Sequence, residues 1–252
     1  MKIKLFLFSM LGLIIIFSCQ SQPKALKFVT LQYPPYEYLE NDTLKGIAVD
    51  LVKEVFQRMN QPVDIELLLW DEALEKIKKG TADGIFTIYK TPDREEYTNF
   101  SAEILIPQIV SLFVLQDSNI NFNGDLSELG DHRFGIVNEV SYGSMMDQAI
   151  DEGIINNLER FDTGEENMEA LLNGDIEILV SNKYGAHFII QNLGKKDLVK
   201  ELEPQLQNVP SYVGFSKNKD LEKIRSRFDE NIKKIKEDGT YKKIFNVYLT
   251  DM

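Results

Sequence analysis

From residue 25 onward the chain alternates short apolar runs, rich in β-branched residues, with stretches whose apolar positions recur at helical spacing. Ala25 to Leu31 reads as a first strand, followed by Gln32-Tyr33-Pro34-Pro35-Tyr36, an extended turn held by two prolines. Asn41-Asp42-Thr43 marks a hairpin-like turn. Between Ile47 and Met59 the apolar set is Leu51, Val52, Val55, Phe56 and Met59, which predicts a helix with one buried face. Pro62 to Leu69 predicts a strand. A helix opens at Trp70-Asp71, turns Ala73, Leu74 and Ile77 inward, and ends at Gly80. Asp83 to Ile88 is the next strand, breaking into a polar turn around Thr87, Thr91 and Arg94. Ile104 to Leu115 is a long apolar strand leaving this unit. The order strand–helix–strand–helix–strand predicts a parallel α/β unit.

The same plan is used again after the Asn- and Gly-rich stretch Asn119 to Gly124. Arg133 to Val137 is a strand, and Ser141 to Ile150 a helix carrying Met145, Met146, Ala149 and Ile150, both methionines expected in the core. Ile154 to Phe161 is a strand. Thr163 with Glu166 three residues on forms a capping-box pattern, opening a helix that buries Met168, Leu171 and Leu172 and stops at Asn173-Gly174. Ile176 to Ser181 is a strand, with Asn182 placed as the next N-cap. Leu198 to Leu202 and Val209 to Phe215 are strands, the second returning to the first unit. Leu221, Ile224, Phe228, Ile232 and Ile235 mark a long helix, Gly239-Thr240 breaks it, and Tyr241 to Tyr248 forms the last. The two halves share a plan without sharing a sequence repeat.

The start of the chain changes the picture. Lys2 and Lys4 precede an apolar run from Leu5 to Phe17 and then Ser18-Cys19, the layout of an export signal too short for a comfortable membrane span. Cys19 is the only cysteine, so no internal disulfide forms. Ile16-Phe17-Ser18-Cys19 resembles a bacterial lipobox, which implies residues 1–18 as signal peptide, a lipid-modified Cys19 and a tether over 19–24. The alternative is an ordinary export signal with Cys19 removed or idle. The 252 residues carry a formal charge of −12, or −14 without a leader bearing Lys2 and Lys4. Such an acidic surface argues against nucleic acid and against electrostatic binding to a membrane, though not against an anion in a locally basic cleft.

Chemistry concentrates between Gly80 and Ser101. A buried parallel strand ending in hydroxyls and a lone arginine suits a carboxylate, which guanidinium binds in a planar fork worth about 1.5–3 kcal/mol. The plainer reading makes Arg94 a surface residue paired with Asp93 or Glu95. His132 and His187 lie at no ligand spacing, and there is no zinc pattern or phosphate loop, so no metal and no cofactor are expected. A Cys–His nucleophile is excluded because the only cysteine sits at the leader. The lysine-rich stretch from Lys233 to Lys243 is interleaved with acids and reads as a solvated helix face.

Taken in order, several short motifs resemble the extracytoplasmic solute-binding proteins of family 3, the amino-acid receptors of ATP-driven importers. They are Tyr33-Pro34-Pro35-Tyr36-Glu37, Gly46-Ile47-Ala48-Val49-Asp50-Leu51, Trp70-Asp71-Glu72, Gly80 with Asp83, Thr91-x-x-Arg94, Phe100-Ser101, Gly174-Asp175-Ile176-Glu177 and Asp238-Gly239-Thr240-Tyr241. The resemblance covers about Leu26 to Tyr248. It implies a two-lobed, type II periplasmic-binding-protein-like α/β fold: lobe 1 from 25–107 and 208–252, lobe 2 from 108–207, hinged near Pro107 to Ser111 and Gln207 to Ser211. Closure on a small-molecule ligand requires contact with both lobes.

By the same resemblance Tyr33 and Trp70 are aromatic walls, and Thr87 and Tyr89 serve the ligand's amino end and backbone, with Thr91 on the same turn. Arg94 forks the α-carboxylate, and Ser141 and Tyr142 at a helix start add donors. This chain departs from the pattern where the acid for the α-ammonium falls on Asn182, a helper acid on Thr30, a small hydroxyl residue on Tyr89, and a glycine on Glu139. Either Glu139 supplies the missing charge to an amino acid, or the ligand lacks a free ammonium. The implied function is capture of a small amino acid or related carboxylate for an ABC permease, by a monomer tethered through Cys19 and without catalysis. Two readings stand beside it: a ligand-sensing lipoprotein, and a cyclohexadienyl-dehydratase-like enzyme with Glu139 as general acid. A fused lytic domain is not expected, the chain ending just after its last predicted helix.

Overall fold

The computed structural model describes residues 23–249, so the lipobox and Cys19 lie outside the described residues. Strand β1 (Leu26–Leu31) leads through the proline turn to a hairpin, β2 (Tyr38–Glu40) and β3 (Thr43–Lys45), whose two-residue loop has Asn41 and Asp42 at positive φ. Helix α1 (Ile47–Arg58) follows, with seven of its residues buried from Ile47 to Phe56. Next come β4 (Val63–Leu68), α2 (Trp70–Lys78) and β5 (Gly84–Tyr89). The expected polar turn is a short helix, α3 (Pro92–Tyr97), because Thr91 caps it from the side chain and Pro92 presets its first turn. After β6 (Thr98–Phe100) and β7 (Ile106–Leu115), the second unit supplies β8 (Phe134–Val137), α4 (Ser144–Asp151), β9 (Leu158–Phe161), α5 (Gly164–Asn173), β10 (Ile178–Asn182), α6 (Lys183–Asn192) and β11 (Val199–Glu201). The chain closes with β12 (Gln207–Ser216), α7 (Glu222–Glu237) and α8 (Thr240–Leu249).

The main sheet runs β4-β1-β5-β12-β7-β10-β8-β9, with β6 beside β12 and β11 beside β7. Pairing is parallel within β4-β1-β5 and within β10-β8-β9. The central strands β12 and β7 pair antiparallel, from Gln207 with Val110 to Ser211 with Ile106, and each continues into one parallel group. Two parallel α/β lobes thus share a pair of crossing strands. Buried clusters follow the same division. One gathers Phe28, Phe56, Phe215 and Phe228 beneath α1 and α7, a second lies around Trp70, Ile77 and Ile85, and two more lie within 110–209, one of them joined by Tyr89.

Two local expectations are corrected. Helix α4 starts at Ser144, three residues late, because Ser141 and Tyr142 turn back to bond Asp147. Met146 is fully buried as expected, but Met145 is 43 % exposed, since α4 presents only one face to the core. The Thr163 and Asn182 caps form as expected, each side chain accepting from backbone N–H groups. Among the described residues no helix is long and apolar enough to cross a membrane, and no three His, Cys, Asp or Glu side chains are placed to hold a metal.

Candidate functional site

The carboxyl ends of β1, β4, β5, β8, β9 and β10 converge on one cavity, the place where open parallel sheets bind ligands. It holds about 870 Å³ of empty space when the open mouth is included. Leu31, Tyr33, Leu68 and Trp70 wall it from one lobe; Val137, Tyr142, Ser181 and Asn182 from the other. A wider open groove lies on the far side of Arg94, lined by α3, α4 and Glu139. Tyr89, Arg94, Val140 and Ser141 border both spaces.

Arg94 is 6 % exposed and forms no ion pair with Asp93, Glu95 or any other described acid, so the surface reading fails. Its Nη1 donates to the Tyr89 carbonyl at 3.3 Å and its Nη2 to the Glu139 carbonyl at 2.9 Å. The guanidinium also lies over the Trp70 ring, 5.4 Å from its centroid. Two of its five N–H groups are thereby engaged, and three remain for a ligand. Burial lowers its pKa from the ordinary value, the sign of a charge held out of water.

Thr87 is the strained member of β5. It has φ 59°, unusual for a β-branched residue, and falls where the β5–β12 register slips between Tyr212 and Val213, so it has no partner across the ladder. The bulge brings Thr87 to the cavity wall and its hydroxyl to Glu37, which is fully buried. Thr87 Oγ1 lies 2.7 Å from Glu37 Oε1 and 2.6 Å from the Phe86 carbonyl. A hydroxyl has one proton and cannot donate to both. A protonated Glu37 donating to Thr87, which donates on to Phe86, satisfies both contacts. Burial pushes the Glu37 pKa well above its ordinary 4.5, which agrees. Thr30, the position of the expected helper acid, packs into this network with its hydroxyl 3.4 Å from that of Thr87.

The Glu37 proton has a consequence for stability. Below pH 4.5 folded and unfolded chains both hold it; above that value the unfolded chain releases it first, and stability falls as pH rises toward the folded pKa. Glu37→Gln keeps a donor for Thr87 and cannot ionise. It is expected to melt higher than the parent at pH 8 and to lose that advantage at pH 4; a difference independent of pH, read by thermal unfolding, would refute a neutral Glu37.

The remaining expected residues separate. Tyr33 bridges the lobes, its hydroxyl accepting from the Asn182 N–H at 2.8 Å. Trp70 does so as well, donating from Nε1 to the Glu139 carbonyl at 3.1 Å. Glu139, at φ 57°, contributes that carbonyl to two donors from the opposite lobe, but its side chain is exposed and borders only the open groove. Ser141 Oγ and the Tyr142 N–H both donate to the Asp147 carboxylate, and the Tyr142 hydroxyl accepts from the Val137 N–H. These donors, expected for the ligand, serve the start of α4. Thr91 borders the open groove and caps α3. Tyr89 turns its hydroxyl to Gln108 at 3.1 Å.

Glu37, Gln108, Asp162 and Asn167 were missed. Gln108 is a polar residue inside the apolar run of β7, and Asp162 directly follows a predicted parallel strand; both positions were readable signals. Glu37 and Asn167 reach the site only through packing, Asn167 lying over Gly135 with its Oδ1 unpartnered.

A profile of the bacterial extracellular solute-binding proteins, family 3, matches residues 26–251. The chain belongs to this family. A family 3 relative, the probable amino-acid-binding protein YxeM of Bacillus subtilis (strain 168), is 21 % identical over 225 residues, covering 88 % of this chain and 82 % of the relative. Among solved structures, a histidine kinase sensor domain with similarity to periplasmic binding proteins superposes with a TM-score of 0.81 at 18 % identity, covering 90 % of this chain and 97 % of the other. The arginine-, lysine-, histidine-binding protein ArtJ from Geobacillus stearothermophilus superposes at 0.78 and 20 % identity, with 90 % and 96 % covered. At such identities these likenesses establish the two-lobed fold.

Proposed function

We propose that this family 3 protein is a receptor that captures a small amino acid or related carboxylate between its lobes and delivers it to an ABC importer. The observation that carries this is Arg94: a buried guanidinium with no acid partner among the described residues, on the wall of a cavity that both lobes enclose. Burying a charge is costly unless it is paired, and a ligand carboxylate supplies the pair. Lobe 1 comprises 25–107 and 208–252 and lobe 2 comprises 108–207, with the β7–β12 crossing as hinge. Tyr33 and Trp70 meet lobe 2 directly, so a ligand filling the cavity joins a closure the protein already stabilises. The receptor acts as a monomer, outside the cytoplasm, tethered through a lipid on Cys19.

The likeness to a histidine kinase sensor domain supports a second reading, in which the closed form is read by a membrane partner rather than a permease. The dehydratase reading loses its acid, since Glu139 turns its side chain to the open groove.

Thermal unfolding against amino acids, their N-acetyl and 2-oxo analogues and short dicarboxylates tests the receptor. A ligand at a hundred times its Kd adds about 2.7 kcal/mol, a readily seen shift. The shift is expected to vanish in Arg94→Ala; a shift that survives there would move the carboxylate elsewhere and sink the reading.

A further inference from the structure

The cavity offers a positive group at one side and no available acid beside it. Arg94 and Asp162 are its only charged lining residues, and of these only Arg94 is buried. Asp162 is exposed at the mouth, where its Oδ1 accepts from Asn138 Nδ2 at 2.9 Å.

Two of the cavity's neutral acceptors, Asn182 and Gln108, are committed, and those left over, the unpartnered Asn167 Oδ1 and the Ser181 hydroxyl, carry no charge to offset an ammonium. Asn182 Oδ1 takes the N–H groups of Tyr184 and Gly185 at 3.0 and 3.2 Å, which uses both its lone pairs on the cap of α6. Its Nδ2 points at Gln108 Oε1, the oxygen that also receives the Tyr89 hydroxyl. Glu37 stands behind Thr87, off the cavity wall, and the two contacts of the Thr87 hydroxyl are satisfied together when it holds its proton. Glu139 faces the other space. An ammonium next to a carboxylate on Arg94 would therefore be stripped of water with no buried anionic oxygen to receive it, Asp162 being exposed to solvent.

We propose that the ligand is a small monocarboxylic acid with an apolar body and no charged nitrogen beside its carboxylate, the α-nitrogen being absent or acylated. This rests on Arg94 as the carboxylate site. Leu31, Leu68, Trp70, Val110 and Val180 supply the apolar surround for the body.

Titration calorimetry on the purified chain tests it with matched sets that differ only at the α-carbon: leucine, N-acetyl-leucine and 4-methyl-2-oxopentanoate, and the corresponding three with a phenyl side chain. At least one uncharged-nitrogen member is expected to bind tenfold or more tighter than its free amino acid. The acetyl and oxo arms separate an acylated from an absent nitrogen. Asn182→Asp places an acid on the wall while still capping α6, aspartate being as good a cap as asparagine. It is expected to shift the preference at least tenfold toward the free amino acids. Free amino acids binding the parent as tightly as their analogues would overturn the inference, as would absence of binding by every member to parent and variant alike. Arg94→Ala separates the two levels. If free amino acids bind and Arg94→Ala abolishes it, the receptor stands and this ligand class falls; if binding ignores Arg94, both fall.

Discussion

Arg94→Met is expected to weaken ligand binding thirtyfold or more, while the ligand-free chain unfolds at the same temperature as the parent or higher. Truncating one member of a buried, hydrogen-bonded charge pair costs about 2–5 kcal/mol of affinity, and 1.4 kcal/mol is a factor of ten. Without ligand the balance differs. The guanidinium is held by two carbonyls and a ring face rather than an acid, and burial lowers its pKa. Removing an unpaired buried charge lifts its desolvation cost, which offsets the loss of its two carbonyl hydrogen bonds. The Glu139 carbonyl keeps the Trp70 donor in the variant. Calorimetric affinity and ligand-free melting temperature, read on the same preparation, decide the matter. A variant that binds normally but melts lower would make Arg94 a structural residue. A site that costs stability in order to bind is the familiar trade between activity and stability.

Gly46→Ala is expected to be the most damaging small substitution in the first lobe, costing about 3 kcal/mol or more. Gly46 has φ 129°, and a Cβ there would lie 2.1 Å from the Tyr36 carbonyl oxygen and 2.4 Å from its carbon. Those are backbone atoms of the proline turn and cannot rotate away. The same turn seats the start of α1, with Ile47 N–H donating to Pro35 and Ala48 N–H to Tyr36. Relief of the clash moves Tyr33 and Glu37 together, and with them the lobe bridge and the support of Thr87. For a chain of this size a loss of that order lowers the melting temperature by roughly 6–12 °C. Gly153→Ala is the control: φ is again positive, at 70°, but nothing lies within 4 Å of the added Cβ. It is expected to cost only about 1 kcal/mol. Equal losses at the two positions would show that backbone strain, not the Tyr36 contact, governs Gly46.

The alternation of β-branched runs with helical spacing was enough to place nearly every large element, because burial on one face imposes its period on the sequence. Leu51, Val52, Val55 and Phe56 are all fully buried on α1, as their spacing requires. Caps at Thr163 and Asn182 were equally legible, since they depend on residues three positions away at most. The short helix of Arg94 was read as a turn, six residues being too few to show a period. Ser141 and Tyr142 were read as helix start because their loop is set by Asp147, six and five residues on, through contacts that no periodicity records.

The site divides in the same way. The fold family, the two-lobed plan and the position of Arg94 at a strand end were legible in the chain, because these follow from local pattern and from the order of motifs. What surrounds that charge is set by long-range packing. Glu37 lies fifty residues from Thr87 and Gln108 lies 74 from Asn182, yet their contacts determine whether an acid is ionised or an oxygen is free. Protonation and lone-pair occupancy depend on burial and on every neighbour at once, and a sequence names the groups without saying which of them will meet.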